Sequence, residues 1–69
     1  MKLGNNIRRF RFEKDETPQL ELANAVGVTR QTIFSIEKGK FVPSALLALK
    51  IARFFNKSFE EVFYLIEEA

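Results

Sequence analysis

Cysteine, histidine and tryptophan are all absent from this 69-residue chain, and proline occurs only twice. Without cysteine no disulfide can staple so small a fold, and without cysteine or histidine the common zinc sites have no ligands. The same absences remove the most frequent general base and the thiol nucleophile. A chain this short also has little room for a substrate cleft on the order of several hundred Å³. An enzyme is therefore not expected, nor is a cofactor or a metal. Long apolar runs are missing too: Ala45–Leu49 is as long as any, against the roughly 20 residues that span a bilayer. Met1-Lys2-Leu3-Gly4-Asn5 has none of the apolar character of a signal peptide. The expectation is a cytoplasmic protein with no membrane partner.

Basic residues stop at Lys57. Residues 1–57 carry eleven Lys and Arg against five Asp and Glu, while residues 58–69 carry four Glu and no base. The net charge of +2 thus conceals a basic body and an acidic end, which favours a polyanionic partner for the body. Apolar material is plentiful, at 46% of the chain with eight Phe and one Tyr. A single domain of this size buries only about 60% of the surface its unfolded chain exposes. With disulfides and metal excluded, the remaining supports are the core itself or a partner subunit.

Capping and turn residues divide the chain into five short helices. Asn5 and Asn6 are good N-caps for a first helix over Ile7–Lys14, with Leu3, Ile7 and Phe10 at helical spacing. Thr17-Pro18 reads as an N-cap followed by proline at the first helical position. That second helix reaches Val26, with Leu22, Ala23 and Val26 inward and Gly27 just past its end. Thr29 caps a third helix ended by Gly39, and Lys40-Phe41-Val42-Pro43 is a loop. Ser44 caps a fourth, Ala45–Phe55, whose Leu47, Ala48, Ile51, Ala52 and Phe55 share one face while Lys50 and Arg53 point out. Asn56 closes it, and Ser58-Phe59-Glu60-Glu61 is a capping box that opens the fifth. Val62–Ile66, rich in β-branched and aromatic residues, reads either as a strand or as the end of that helix.

Two helices joined by a glycine-containing turn, the second firmly capped, form the helix-turn-helix pattern, whose second helix enters the DNA major groove. Ile33 and Ile36 would pack against Leu22, Ala23 and Val26. Thr29, Arg30, Gln31, Thr32, Phe34 and Ser35 are left outward.

The stretches Gln19-Leu20-Glu21-Leu22-Ala23, Val26-Gly27-Val28-Thr29-Arg30-Gln31-Thr32-Ile33, Ile36-Glu37-Lys38-Gly39-Lys40 and Pro43-Ser44 resemble the Cro/C1-type (Xre-like) helix-turn-helix family over nearly the whole chain. The likeness is to its small stand-alone repressors. It implies a mainly α, compact five-helix, lambda-repressor-like domain over residues 1–69. In some members the chain ends pair as a small antiparallel sheet, here Met1–Leu3 with Phe63–Ile66. By the same resemblance Arg30, Gln31, Phe34 and Ser35 contact bases, and Gln19, Thr29, Thr32, Lys38 and Lys40 contact phosphates. Arginine suits guanine O6 and N7, glutamine suits adenine N6 and N7, and Phe34 suits a thymine methyl. Arg11 and Glu37 match an ion pair tying the first helix to the third.

Departures from the pattern are Asp15, where the family commonly has glycine; Pro18, where it has threonine or serine; and Phe34, Leu20 and Leu46 at usually polar or charged positions. Four large apolar side chains in a short tail point to a dimer. Residues 58–69 are expected to be its segment, with Leu46, Phe54, Phe59, Phe63, Tyr64, Leu65 and Ile66 at the interface. The functional expectation is a sequence-specific regulator, a repressor binding a palindromic operator in double-stranded DNA as a homodimer. The alternatives are an antitoxin-like module that binds a protein partner and DNA only for autoregulation, and a non-specific architectural binder.

Overall fold

A computed structural model describes residues 1–67, so the last two positions of the expected dimer segment, 68 and 69, lie outside the described residues. The described residues form β1 (Lys2–Asn5), α1 (Ile7–Glu13), α2 (Gln19–Val26), α3 (Arg30–Glu37), α4 (Ala45–Phe54), α5 (Phe59–Val62) and β2 (Phe63–Ile66). The strands pair antiparallel, Lys2 opposite Ile66 and Asn5 opposite Phe63. The five-helix domain with paired chain ends is the architecture the resemblance implied, and it settles Phe63–Ile66 as strand.

One apolar cluster holds these elements together. Ile7, Leu22, Ile33, Ile36, Ile51 and Val62 are its fully buried members, at least one from each helix. Phe10 and Phe55 pack ring to ring at 5.9 Å across it. Three helices end as their sequences anticipate: Gly27 (φ 80°), Gly39 (φ 76°) and Asn56 (φ 56°) turn the chain through the left-handed region. The amides of Gly27 and Val28 both donate to the Ala23 carbonyl, closing α2. Thr29, Ser44 and Ser58 cap α3, α4 and α5 with their hydroxyls, and Ser58 and Glu61 form the reciprocal capping box.

Four local expectations are corrected. The N-terminal strand runs Lys2–Asn5 rather than Met1–Leu3, and Leu3, although spaced helically with Ile7, sits in it, packed on the core and paired with the far end of the chain. Asn6 occupies the N-cap position of α1 without capping it. Its amide donates instead to the Glu61 carbonyl at 2.9 Å, and Asn5 donates to that of Ile36 at 3.0 Å, so the two asparagines fasten α1 to α5 and α3. Thr17 does not cap α2: it is buried, donating to the Lys14 carbonyl, and Pro18 takes the N-cap position. Phe63, assigned to a dimer surface, is only 2% exposed. Strand alternation turns it to the domain's own interior, where it stacks on Phe59 at 5.4 Å.

Gly4 faces Tyr64 across the sheet, and a Cβ there would lie 2.5 Å from the tyrosine ring. Glycine lets the ring close over the strand. No helix among the described residues is long and apolar enough to cross a membrane.

Candidate nucleic-acid interface

The site is built on α3. Burial of Ile33 and Ile36 against α2 fixes which side of this eight-residue helix meets solvent. Arg30 and Gln31 stand exposed on its first turn, while Thr32, Phe34 and Ser35 are half-buried. The Thr29 hydroxyl accepts from the Thr32 amide at 3.2 Å and lies 3.0 Å from the Thr32 hydroxyl. Both threonine hydroxyls therefore cluster at the helix start, where backbone N–H groups and the helix dipole favour an anion. Lys38 and Lys40 are exposed at the other end.

A chain of hydrogen bonds ties the reading residues to the interior. Arg11 donates to both carboxylate oxygens of Glu37, at 2.7 and 3.1 Å, and its remaining arm donates to the Thr17 carbonyl at 2.9 Å. Both side chains are largely buried, at 13% and 8% exposure. Gln19 donates to the same carboxylate at 3.2 Å and accepts from Arg30 at 3.2 Å. The order is chemically forced. A carboxylate only accepts and a guanidinium only donates, so the Gln19 amide must turn its nitrogen to Glu37 and its oxygen to Arg30. The exposed Arg30 is thus steadied by Gln19 through one N–H.

The sequence anticipated the Arg11–Glu37 pair and the outward set on α3, but not the Arg30–Gln19 link, which joins residues on two different helices. It also placed Phe34 simply on the outer face. The ring is half-buried on the α1 side of α3, with the Lys38 ammonium 5.7 Å from its centroid. Arg8 and Phe12 of α1, which line the same cleft, were missed. The exposure of a phenylalanine at position 12 becomes visible only once the helices are docked. Of the residues assigned to a dimer surface, Leu46, Phe59, Tyr64, Leu65 and Ile66 are exposed. Phe54 is half-buried on the core, beneath the Lys14 ammonium.

A capped helix with a polar, cationic first turn, braced at a fixed angle on a second helix through a glycine turn, defines a helix-turn-helix DNA-binding domain. A helix-turn-helix family model matches residues 11–62, and the chain belongs to this family, in its Cro/C1-type branch of transcriptional regulators. It is 58% identical over 50 residues to the HTH-type transcriptional regulator YgzD of Bacillus subtilis, covering 72% of this chain and 76% of that one. An HTH-type transcriptional regulator of Archaeoglobus fulgidus is 52% identical over 66 residues, 96% of this chain and 92% of its own. One of Methanocaldococcus jannaschii is 48% identical over 61 residues, 88% and 91% of the two chains. The family is one of DNA-binding regulators, not an enzyme family.

Proposed function

We propose that this regulator is a sequence-specific repressor that binds a palindromic operator as a homodimer, with α3 in the major groove. The observation that carries the reading is Arg30, exposed on the first turn of α3 and held through Gln19 by the buried Arg11–Glu37 pair. A guanidinium held in this way gains in discrimination, because less side-chain freedom is lost on binding. Arg30 and Gln31 read guanine and adenine edges, a good bidentate pair contributing about 1–3 kcal/mol of discrimination. Ser35 adds a contact one turn on, and the exposed edge of Phe34 meets a thymine methyl. Gln19, Thr29, Thr32, Lys38 and Lys40 hold phosphates, which position the domain without reading sequence. Repression follows from occlusion of a promoter.

Homodimerisation is supported by an unpartnered apolar face. Val42, Leu46, Leu49, Phe59 and Leu65 are all exposed, and Leu65 lies across the sheet from Leu3, which lines a groove with Val42, Leu49 and Phe59. Together the five leave on the order of 500 Å² of apolar surface in water, a large patch for a monomer and enough for the centre of an interface of about 800 Å² per partner. Phe59 of α5 and Leu65 of β2 supply one side of it, whereas Tyr64 and Ile66, also assigned to the dimer surface, lie over Gly4 on the opposite face of the terminal sheet, beside Lys38 and Gly39. The same groove gives the antitoxin-like alternative its one support, and a different protein that co-purifies stoichiometrically would favour that reading.

Selection of bound sites from random duplex DNA tests the proposal. The expected product is an inverted repeat whose half-sites lie about 34 Å apart, one helical turn. Arg30→Ala and Gln31→Ala each relax preference at one base position, whereas Lys40→Ala weakens all sequences alike. Recovery of unenriched DNA would instead mark an architectural binder.

A further inference from the structure

Beside the reading surface lies a cleft between α1 and the C-terminal half of α3. Its walls are Arg8 and Phe12 on one side and Gln19, Phe34 and Lys38 on the other, and the Arg11–Glu37 pair forms its floor. The cleft is open, with a volume of about 280 Å³, which is small for enclosing a metabolite.

Its charge is one-sided. Both oxygens of Glu37 are engaged by Arg11, and one also by Gln19. Neither Arg8 nor Lys38 pairs with a carboxylate among the described residues. Each instead rests near an aromatic ring, Arg8 with its guanidinium 5.7 Å from the centroid of Phe12 and Lys38 with its ammonium 5.7 Å from that of Phe34. A ring face attracts a cation without neutralising it and leaves its N–H donors unspent. Phe12 is 53% exposed, and the core makes no use of its outer face. Two donor-bearing cations over two phenyl rings match a sugar–phosphate unit, with phosphate oxygens for the cations and deoxyribose C–H groups for the exposed ring.

The position agrees with the chemistry. Arg30, Phe34 and Lys38 are successive turns of one edge of α3, so a row runs from the base-reading end of the helix to Lys38 and across the cleft to Arg8. We infer that Arg8, together with Lys38 across the cleft, clamps a backbone phosphate of duplex DNA outside the bases read by α3, with the adjoining deoxyribose against Phe12. This extends the footprint from α3 onto α1, and it rests on the DNA-binding reading above.

The test compares wild-type protein, Arg8→Ala and Lys57→Ala on the selected duplex over a range of salt concentrations. Lys57 is an exposed cation beside Phe10 and Phe55, outside the cleft, and controls for loss of charge alone. The slope of log affinity against log salt is expected to fall in magnitude by about 0.9 in Arg8→Ala, and by much less in Lys57→Ala. The selected sequence should be the same in all three, and thermal melts should coincide because Arg8 is exposed. Duplexes carrying single neutral methylphosphonates should reveal one flanking phosphate whose neutralisation weakens wild-type protein several-fold and leaves Arg8→Ala unchanged. If wild-type protein binds but Arg8→Ala keeps its slope, or loses no more than Lys57→Ala, the clamp is overturned and the DNA-binding reading stands. If wild-type protein shows no salt-dependent binding to duplex DNA, both fall.

Discussion

Glu37 joins stability to recognition within a single side chain. Its carboxylate accepts from Arg11 and from Gln19, and Gln19 in turn accepts from Arg30. Removing one member of a largely buried pair leaves the other charge uncompensated, so Glu37→Gln should destabilise the domain by about 3 kcal/mol in urea unfolding. Replacing both members with apolar residues of similar size, Arg11→Met with Glu37→Leu, should restore most of that loss, since neither charge is then stranded. The double variant separates the two roles. It should fold and still bind duplex DNA, yet Gln19 has lost the acceptor that oriented its amide, so preference at the base read by Arg30 should weaken in a site selection. Unchanged preference would show that Arg30 reads without support from Glu37.

At the scale of elements, α5 and β2 depend on one another more than their lengths suggest. A four-residue helix is too short to persist alone. Here it begins at the Ser58–Glu61 capping box, and its last carbonyls accept from Asn6: the Val62 carbonyl from the Asn6 backbone amide at 2.8 Å, the Glu61 carbonyl from its side chain. Ser58→Ala should therefore cost about 1 kcal/mol, lowering Tm by about 4–8 °C. Because β2 follows α5 without a break, amide exchange should accelerate in β1 as well as in α5. Exchange confined to residues 58–62 would count against this coupling. The capping box itself was legible in sequence, as were Thr29, Ser44, Gly27 and Gly39, because each acts within a few residues of itself. The β1–β2 pairing was not legible from local pattern. Its partners lie at opposite ends of the chain, and Leu3 happens to stand four residues before Ile7, which mimics helical periodicity. Thr17-Pro18 failed for a related reason: a threonine before a proline suits a cap, but only the packed fold shows that its hydroxyl is turned inward. In the site, the α3 residues were readable from the motif, whereas Arg8 and Phe12 required the docking of α1 against α3.

For the whole molecule, the uneven charge and the apolar face set a single geometric condition. The basic reading surface must meet DNA while the acidic residues 58–69 keep clear of phosphates, and both are satisfied if two copies join through the groove between the α4 start, α5 and the terminal sheet. Leu49 lines that groove, and Leu65 stands at its edge across from Leu3. Both are more than half exposed, so a charge at either position is well solvated in a monomer and should cost its fold little. In a dimer the same charge would be desolvated without a partner, a penalty of several kcal/mol. Sedimentation equilibrium of wild-type protein should report a dimer, whereas Leu49→Lys and Leu65→Lys should report monomers with little change in circular dichroism. On a palindromic duplex the wild type should bind in one cooperative step. The two variants should fill each half-site independently and far more weakly, because a second recognition helix no longer arrives with the first at high effective concentration. A wild-type monomer that binds both half-sites without cooperativity would remove the dimer from the proposal and leave Arg30 and Gln31 to supply specificity from one helix alone.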